Sequence, residues 1–516
     1  MFFLFSRCLG CAGSLLISAA TALVPLSAWL AVTRRRTALL ALPLALVIAG
    51  CGGSGAAIDG PAISEEDRAH GAEAHAQLLA GFGGAYAGEQ AAYVRGVGER
   101  IAAAAGVEGQ CTFTLVNSDV VNAFAVPGCY IYVTRGLVAI ITSEAELASV
   151  LGHELGHILG QHAQRQERRT IWRTLGVIAV SVTGSERLTR LANQAGQYFG
   201  LRYSRKQEYE ADDLGVEYLQ RAGYDVYAAA DMLTALERQD KFTTATRRRD
   251  DARGVPEWAL SHPLTEHRIQ RAFHAAEATG LADDALPENV ASYLAAVDGL
   301  LYGDDPEQGF VIGRRFAHPI MRISFEAPSG FSLTNSPQSI RLSGPNGVTG
   351  EFGGGAMPGG DLQAYAKALV AHVVGNAPAE PLGATAMTIN GLPAIVTQLG
   401  VVVRDGSVPL SIAVYDGGGG QAYHFVIASP PANADAAAVA TLIRSFRRLS
   451  PKEAAALRPR FIRTVTVAPG ESAATLVARV VDPAPRALFE LLNGRVAHKS
   501  LTPGDTVKIV SYADGR

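Results

Sequence analysis

The chain has 516 residues, 48% of them apolar and 18% charged, with a formal net charge of -3. That composition excludes a disordered, highly charged protein. The acidic balance excludes nucleic acid as the main partner, since nucleic-acid binders carry a basic excess, and the length allows two to four domains at about 150 residues each.

The first 50 residues hold no Asp, Glu or Lys, only Arg7, Arg34, Arg35 and Arg36, so the rest of the chain carries -7. Arg34 to Arg36 followed by apolar Thr37 to Ile48 reads as a basic n-region and a short h-region, too short to span ~30 Å of hydrocarbon. It ends in Ile48-Ala49-Gly50-Cys51, which resembles the lipobox of bacterial lipoproteins. The resemblance implies a leader over residues 1–50 and a lipid anchor on Cys51. A flexible tether over 51–62 follows, rich in glycine at 52–55. Leu9 to Val32 is a second apolar stretch, either a further membrane segment or an extension ahead of the true start. Gly52 stands where an Asp marks inner-membrane retention, so the expected location is the cell envelope: a lipoprotein of the outer membrane facing the periplasm.

Ile63 to Ala105 reads as helix from its apolar spacing. Cys111 to Val116 and Tyr130 to Val133 are β-prone runs parted by Pro127-Gly128. Cys111 and Cys129 flank this segment and are either a disulfide, as an exported chain permits, or two buried thiols. Glu144 to Gln164 and Arg205 to Ala222 read as long helices. Apolar Ile171 to Val182 between them is too short to span a bilayer and reads as a buried or plug-like helix. Asp225 to Thr279 continues helical with breaks at Pro256 and Pro263. Residues 63–300 thus form one α-rich domain with a small sheet.

A Gly/Asp/Pro stretch near 300–310 marks a boundary. Strand-like Ile320 to Phe325, Ile340 to Leu342, Ala394 to Val403, Leu410 to Tyr415 and Tyr423 to Ile427 follow. With helical Asp361 to Val374 and Ala434 to Phe446, they predict an α+β domain over 310–450. Its Phe325-Glu326-Ala327-Pro328-Ser329-Gly330-Phe331 run faintly resembles PsbP/Mog1-type sheets. Residues 460–516 read as strand, Pro469-Gly470-Glu471-Ser472 helix start, Leu492-Asn493-Gly494 turn and Pro503-Gly504-Asp505 before a closing strand. This resembles the LysM module, a βααβ unit, and implies peptidoglycan as a candidate partner.

The chemistry lies in the α-rich domain. His153-Glu154-Leu155-Gly156-His157 is an H-E-x-x-H motif. On a helix, residues i and i+4 lie one turn apart on one face, so both imidazoles can share a metal ion, with Glu154 beside it to take a proton from water. A third ligand must come from elsewhere. Glu208 and Asp212 share one face of the later helix: Glu208 can coordinate, and Asp212 can accept from the far nitrogen of a ligand histidine. Glu210 points elsewhere and reads as a solvated or structural charge, and His162 as a surface residue.

Those two motifs, preceded by Asn122-Ala123-Phe124-Ala125-Val126-Pro127-Gly128, resemble the HtpX/CAAX-prenyl-protease superfamily of zinc endopeptidases, and within it the soluble periplasmic BepA-like branch. The resemblance spans residues 63 to 280. It implies an α+β fold whose first domain is a mainly helical zincin-type (gluzincin) peptidase. It implies one Zn2+ per chain on His153, His157 and Glu208, Glu154 as general base, and Asn122, Ala123 and Phe124 as a strand for extended substrate. Cys129 stands where relatives carry a second glycine. Ser261-His262-Pro263-Leu264 with Arg268 resembles a further signature, whose histidine in that branch can fill the open zinc position. Here His262 is either that latch or a locally packed side chain, and Arg268 a candidate for oxyanion or charge support. The implied activity is hydrolysis of peptide bonds in misfolded or stalled envelope proteins. The alternatives are a latent protease acting as chaperone or assembly factor, and a peptidoglycan-binding adaptor.

Overall fold

The computed structural model describes residues 63–165, 203–246, 262, 266–337, 339–403, 406–429, 436–498 and 500–514. The leader, Cys51, the tether, the stretch from 171 to 182 and the helix breaks at 256 and 263 lie outside the described residues.

Ser64 opens the first helix, α1 (Glu65–Gly81), by accepting from the Asp67 backbone N–H at 3.0 Å. The single helix expected from Ile63 to Ala105 is two. Gly83 and Gly84 sit at φ 85° and 86°, a left-handed pair that ends one helix before α2 (Glu89–Ala104) begins. A small sheet follows: β1 (Thr112–Val116), β2 (Ala123–Val126) and β3 (Tyr130–Thr134), in the order β1-β3-β2. β3 runs parallel to β1 and antiparallel to β2, which leaves β2 on an edge. Gly128 (φ 87°) and Cys129 (φ 66°) make the β2–β3 turn. Cys129 thus takes the backbone conformation a glycine would favour. It is joined to Cys111 in a disulfide with Cα atoms 4.6 Å apart.

Among the described residues, six further helices belong to this half: α3 (Arg135–Ile140), α4 (Glu144–Leu159), α5 (Arg205–Ala222), α6 (Ala228–Thr246), α7 (Glu266–Ala278) and α8 (Val290–Val297). Ser143 caps α4, accepting from the Glu146 backbone at 3.1 Å, and Ser204 with Gln207 forms a capping box on α5. α4 and α5 meet along small residues. A Cβ on Gly156 would lie 3.1 Å from Ala211 Cα, and one on Gly152 would lie 3.5 Å from Gly215 Cα. That seam brings the helix carrying the two histidines against the helix carrying Glu208.

The next region holds two antiparallel sheets. Phe310–Ile312, Arg315–His318, Ile323–Glu326 and Arg447–Arg448 make four strands. The strand expected from Ile320 starts only at Ile323, and Ile320 is 67% exposed. A seven-stranded sheet runs from Ala379–Ile389 at one edge to Ser332–Asn335 at the other. Residues 460–514 contribute two paired strands, Arg460–Thr466 and Thr506–Tyr512, with helices Ala473–Val477 and Pro485–Asn493 between them. This tail packs into the same core as the helical half: Ile462, Leu488, Leu492 and Val510 cluster with Leu137, Leu147 and Tyr293. Lys508, fully buried, donates from Nζ to the carbonyls of Ala139 (2.7 Å) and Ile141 (2.5 Å) at the end of α3. Among the described residues no helix is long and apolar enough to cross a membrane.

Candidate metal centre

α4 and α5 face each other with their functional side chains on the shared side. His153 Nε2 and His157 Nε2 are 3.0 Å apart. Glu208 reaches in from α5, its carboxylate 3.6 Å from each of these nitrogens. A tetrahedral ion with bonds of ~2.0–2.2 Å to N and O has donor atoms ~3.3–3.6 Å apart. The carboxylate distances match that spacing, the 3.0 Å between the two imidazole nitrogens falls ~0.3 Å short of it, and the donor types, two imidazoles and a carboxylate, fit a zinc ion. His262 joins the same cluster: its ring centre lies 5.3 Å from that of His153 and 5.2 Å from that of His157. Its Nδ1 is 3.1 Å from Glu208 and its Nε2 3.6 Å from Glu154. One donor atom from each of His153, His157, Glu208 and His262 lies within 4.8 Å of the others.

Charge in the cluster is balanced by close partners. Asp212 Oδ1 is 2.9 Å from His153 Nδ1, the nitrogen away from the cluster. Arg268, 4% exposed, donates to both oxygens of Asp212 (2.9 and 2.7 Å) and lies 2.9 Å from Glu208. All three guanidinium nitrogens are thus engaged by carboxylates, which is charge support rather than a free oxyanion donor. Burial, the largest single influence, pushes the Asp212 carboxyl up, but Arg268 and His153 together outweigh it and hold the group well below the usual carboxylate range. Burial likewise opposes ionisation of Glu208, and His262, His153 and Arg268 together hold it low. Glu154 has no such excess of cations, so burial leaves its carboxyl raised. Burial keeps His157 well below its ordinary value, hence neutral and able to ligate.

The cleft beside the cluster is lined by Leu137, Val150, Met232, Leu233 and Leu236 on one wall and by Asn122, His153 and Glu154 near the ligands. Asn122 is 2% exposed, and neither its Oδ1 nor its Nδ2 has a hydrogen-bond partner. Ala123 lines the cleft too. Phe124 turns the other way and stacks between Phe82 (5.0 Å) and Tyr132 (4.7 Å), so its side chain is core.

Two neighbours were not legible in the sequence. Tyr203 stacks on the His157 ring at 4.0 Å. His162, expected at the surface, is fully buried, with its Nδ1 2.7 Å from His157 Nδ1. The reason is that α4 ends at Leu159, and Gln161 at φ 50° turns the chain back under His157. A continuous helix to Gln164 would have thrown His162 outward. Burial, with Arg165 nearby, pushes His162 down to about 4. Glu210 is a structural charge, as expected: it bonds Arg165 at 3.0 and 3.2 Å and faces His162 Nε2 at 3.4 Å.

Residues 89–276 match the model of Peptidase family M48. A Yersinia pestis protein named beta-barrel assembly-enhancing protease is 32% identical over 198 residues, 36% of this chain and 38% of that one. The Escherichia coli protein of the same name is 30% identical over 197 residues, with the same shares. The human protein named Metalloendopeptidase OMA1, mitochondrial, is 27% identical over 166 residues, 30% of each chain. The matches with the first two thus span well under half of those relatives. Among solved structures, cyanobacterial PsbP from Synechocystis aligns over 26% of this chain and 91% of its own at 15% identity, with a TM-score of 0.22.

Proposed function

With a Peptidase family M48 domain over residues 89–276 as premise, we propose that this protein is a zinc-dependent endopeptidase of zincin type. Its proposed substrates are misfolded or stalled cell-envelope proteins. The observation that carries the reading is the convergence of His153, His157 and Glu208 from two helices, with Glu154 beside them and an open cleft at their side. Bound in that set, zinc supplies Lewis acidity to the scissile carbonyl and to the attacking water.

The chain's own residues do the rest. Glu154, kept basic enough by burial, takes the proton from the attacking water and hands it to the leaving amine. The outer edge of β2 offers its backbone to an extended chain. Asn122 carries a carboxamide whose donor and acceptor are both unused, suited to a peptide unit held across the cleft. The wall of Leu137, Val150, Met232, Leu233 and Leu236 takes an apolar side chain next to the cut. Asp212 fixes the His153 ring through Nδ1, and Arg268 holds Asp212 and Glu208 in place.

His262 favours a second reading of the same site, a protease latched at rest, because its ring occupies the mouth of the ligand set. The envelope role rests on the relatives named for β-barrel assembly, and the outer-membrane lipid anchor on Cys51 belongs to the same proposal. Peptidoglycan binding by residues 460–516 is a separate part of it, read by pulldown of the full chain on peptidoglycan beside an unrelated polysaccharide. The central test is casein cleavage by the zinc-loaded chain beside Glu154→Gln, with His262→Ala as a third protein. Cleavage by the wild type or by His262→Ala, but not by Glu154→Gln, is expected. Equal cleavage by Glu154→Gln, or none by any of them with zinc bound, overturns the proposal.

A further inference from the structure

The ligand set has two imidazoles, and only one has a carboxylate on its far nitrogen. Asp212 sits on Nδ1 of His153. Nδ1 of His157 instead meets Nδ1 of His162 at 2.7 Å, with the two rings at 76°. Two imidazole nitrogens that close must share one proton, one ring donating and the other accepting. His157 presents Nε2 to the cluster. A metal on that nitrogen leaves the proton on Nδ1, so His157 donates and His162 Nδ1 accepts. The His162 proton then sits on Nε2, which lies 3.4 Å from Glu210, within ion-pair reach but without hydrogen-bond geometry. Glu210 is itself clamped by Arg165, whose guanidinium also donates to the Gly160 carbonyl at the end of α4. The His162 carbonyl accepts from Gln207 Nε2 at 3.0 Å, which ties this turn to the start of α5.

The geometry points to His162 as a positioning residue for the metal: it fixes the tautomer and ring angle of His157, with Glu210 and Arg165 fixing His162 in turn. The two ligand histidines are thus supported differently, one by a carboxylate directly and one by a carboxylate acting through a second imidazole. Removing such an outer partner typically weakens metal binding about 10–100-fold.

This inference rests on the zinc reading above, and the test keeps the two apart. Zinc affinity of the full chain is measured by competition with a chromophoric chelator for wild type, His162→Leu and His162→Asn. Thermal unfolding of each is recorded with the metal removed. Leucine fills the space without an acceptor, whereas the asparagine carbonyl can stand where Nδ1 stood. Expected is a loss of about 10–100-fold for His162→Leu and near wild-type affinity for His162→Asn, with similar metal-free unfolding. Unchanged affinity in His162→Leu, or equal losses in both variants, overturns the inference. Should His162→Leu fail to fold, Glu210→Leu reads the same chain from its more exposed end. It is expected to bind zinc several-fold more weakly, and unchanged affinity there overturns the inference. A wild type that holds no zinc overturns the zinc reading instead.

Discussion

Between Glu144 and Ala278 the described apolar interior also encloses a set of buried charges, whereas between Phe310 and Phe446 it is built around aromatic rings. In the first region Arg268, Asp212, Glu208 and His157 are buried and answer one another at hydrogen-bond distance or close to it, with Glu154 buried beside them. In the second, Tyr415 and Phe446 pack at 4.4 Å, Phe352 and Phe425 at 4.8 Å, and Phe325 and Phe352 at 4.9 Å. Buried rings stabilise one contact at a time. Buried charges are tolerable only as a complete set, because deleting one member strands the others. The difference separates what holds the chain together from what equips it for chemistry, and each half can be disturbed on its own.

The largest effect is expected at the centre of the charged set. Arg268→Leu leaves Asp212 and Glu208 buried without their cation, a cost of about 3–5 kcal/mol. Thermal unfolding reads that loss, and zinc content falls with it. Phe446→Ala removes a fully buried ring and costs about 3 kcal/mol. Zinc affinity in this variant stays at the wild-type level, which is the contrast the two regions predict.

Asn122→Ala sharpens the comparison from the other side. It deletes a buried amide that has no partner, so stability holds or rises slightly in denaturant unfolding. Peptide cleavage loses one hydrogen bond of about 1–1.5 kcal/mol, roughly tenfold in kcat/KM. A pH-dependent effect is expected at Lys508, whose side-chain nitrogen lies between the tail and α3. Burial, the largest influence on it, lowers its folded value to about 7 from an ordinary 10.5. Between those pH values the unfolded chain holds the extra proton, so stability rises with pH there, by at most about 1.4 kcal/mol per unit. Below pH 7 the full penalty is present. Lys508→Met flattens that rise in a series of unfolding curves taken from pH 7 to 10.

What the sequence made legible follows from periodicity and chemistry. His153, His157, Glu208 and Asp212 could be placed together because each pair is four residues apart on a helix. The seam where Gly152 and Gly156 meet Gly215 and Ala211 became visible only in the fold. His162 was hidden because its position depends on a turn at Gln161 that no spacing rule foretells. The strand Thr349–Ala356 was hidden by its glycines. A Cβ at Gly350 or Gly354 would come within 2.8 Å of a carbonyl on the neighbouring strand, so the residues that propensity counts against a strand are the ones this strand needs. The exposed edge strand Ala379–Ile389, with a bulge between Pro381 and Gly383, carries too little apolar alternation to be seen.

The most direct test is a zinc titration of the full chain after complete removal of metal, beside His157→Ala and Glu208→Ala. One tight equivalent per chain in the wild type, lost in both variants while both remain folded without metal, is the predicted result. A wild type that takes up no zinc, or variants that bind it as tightly as the wild type, would contradict the metal centre on which the account stands.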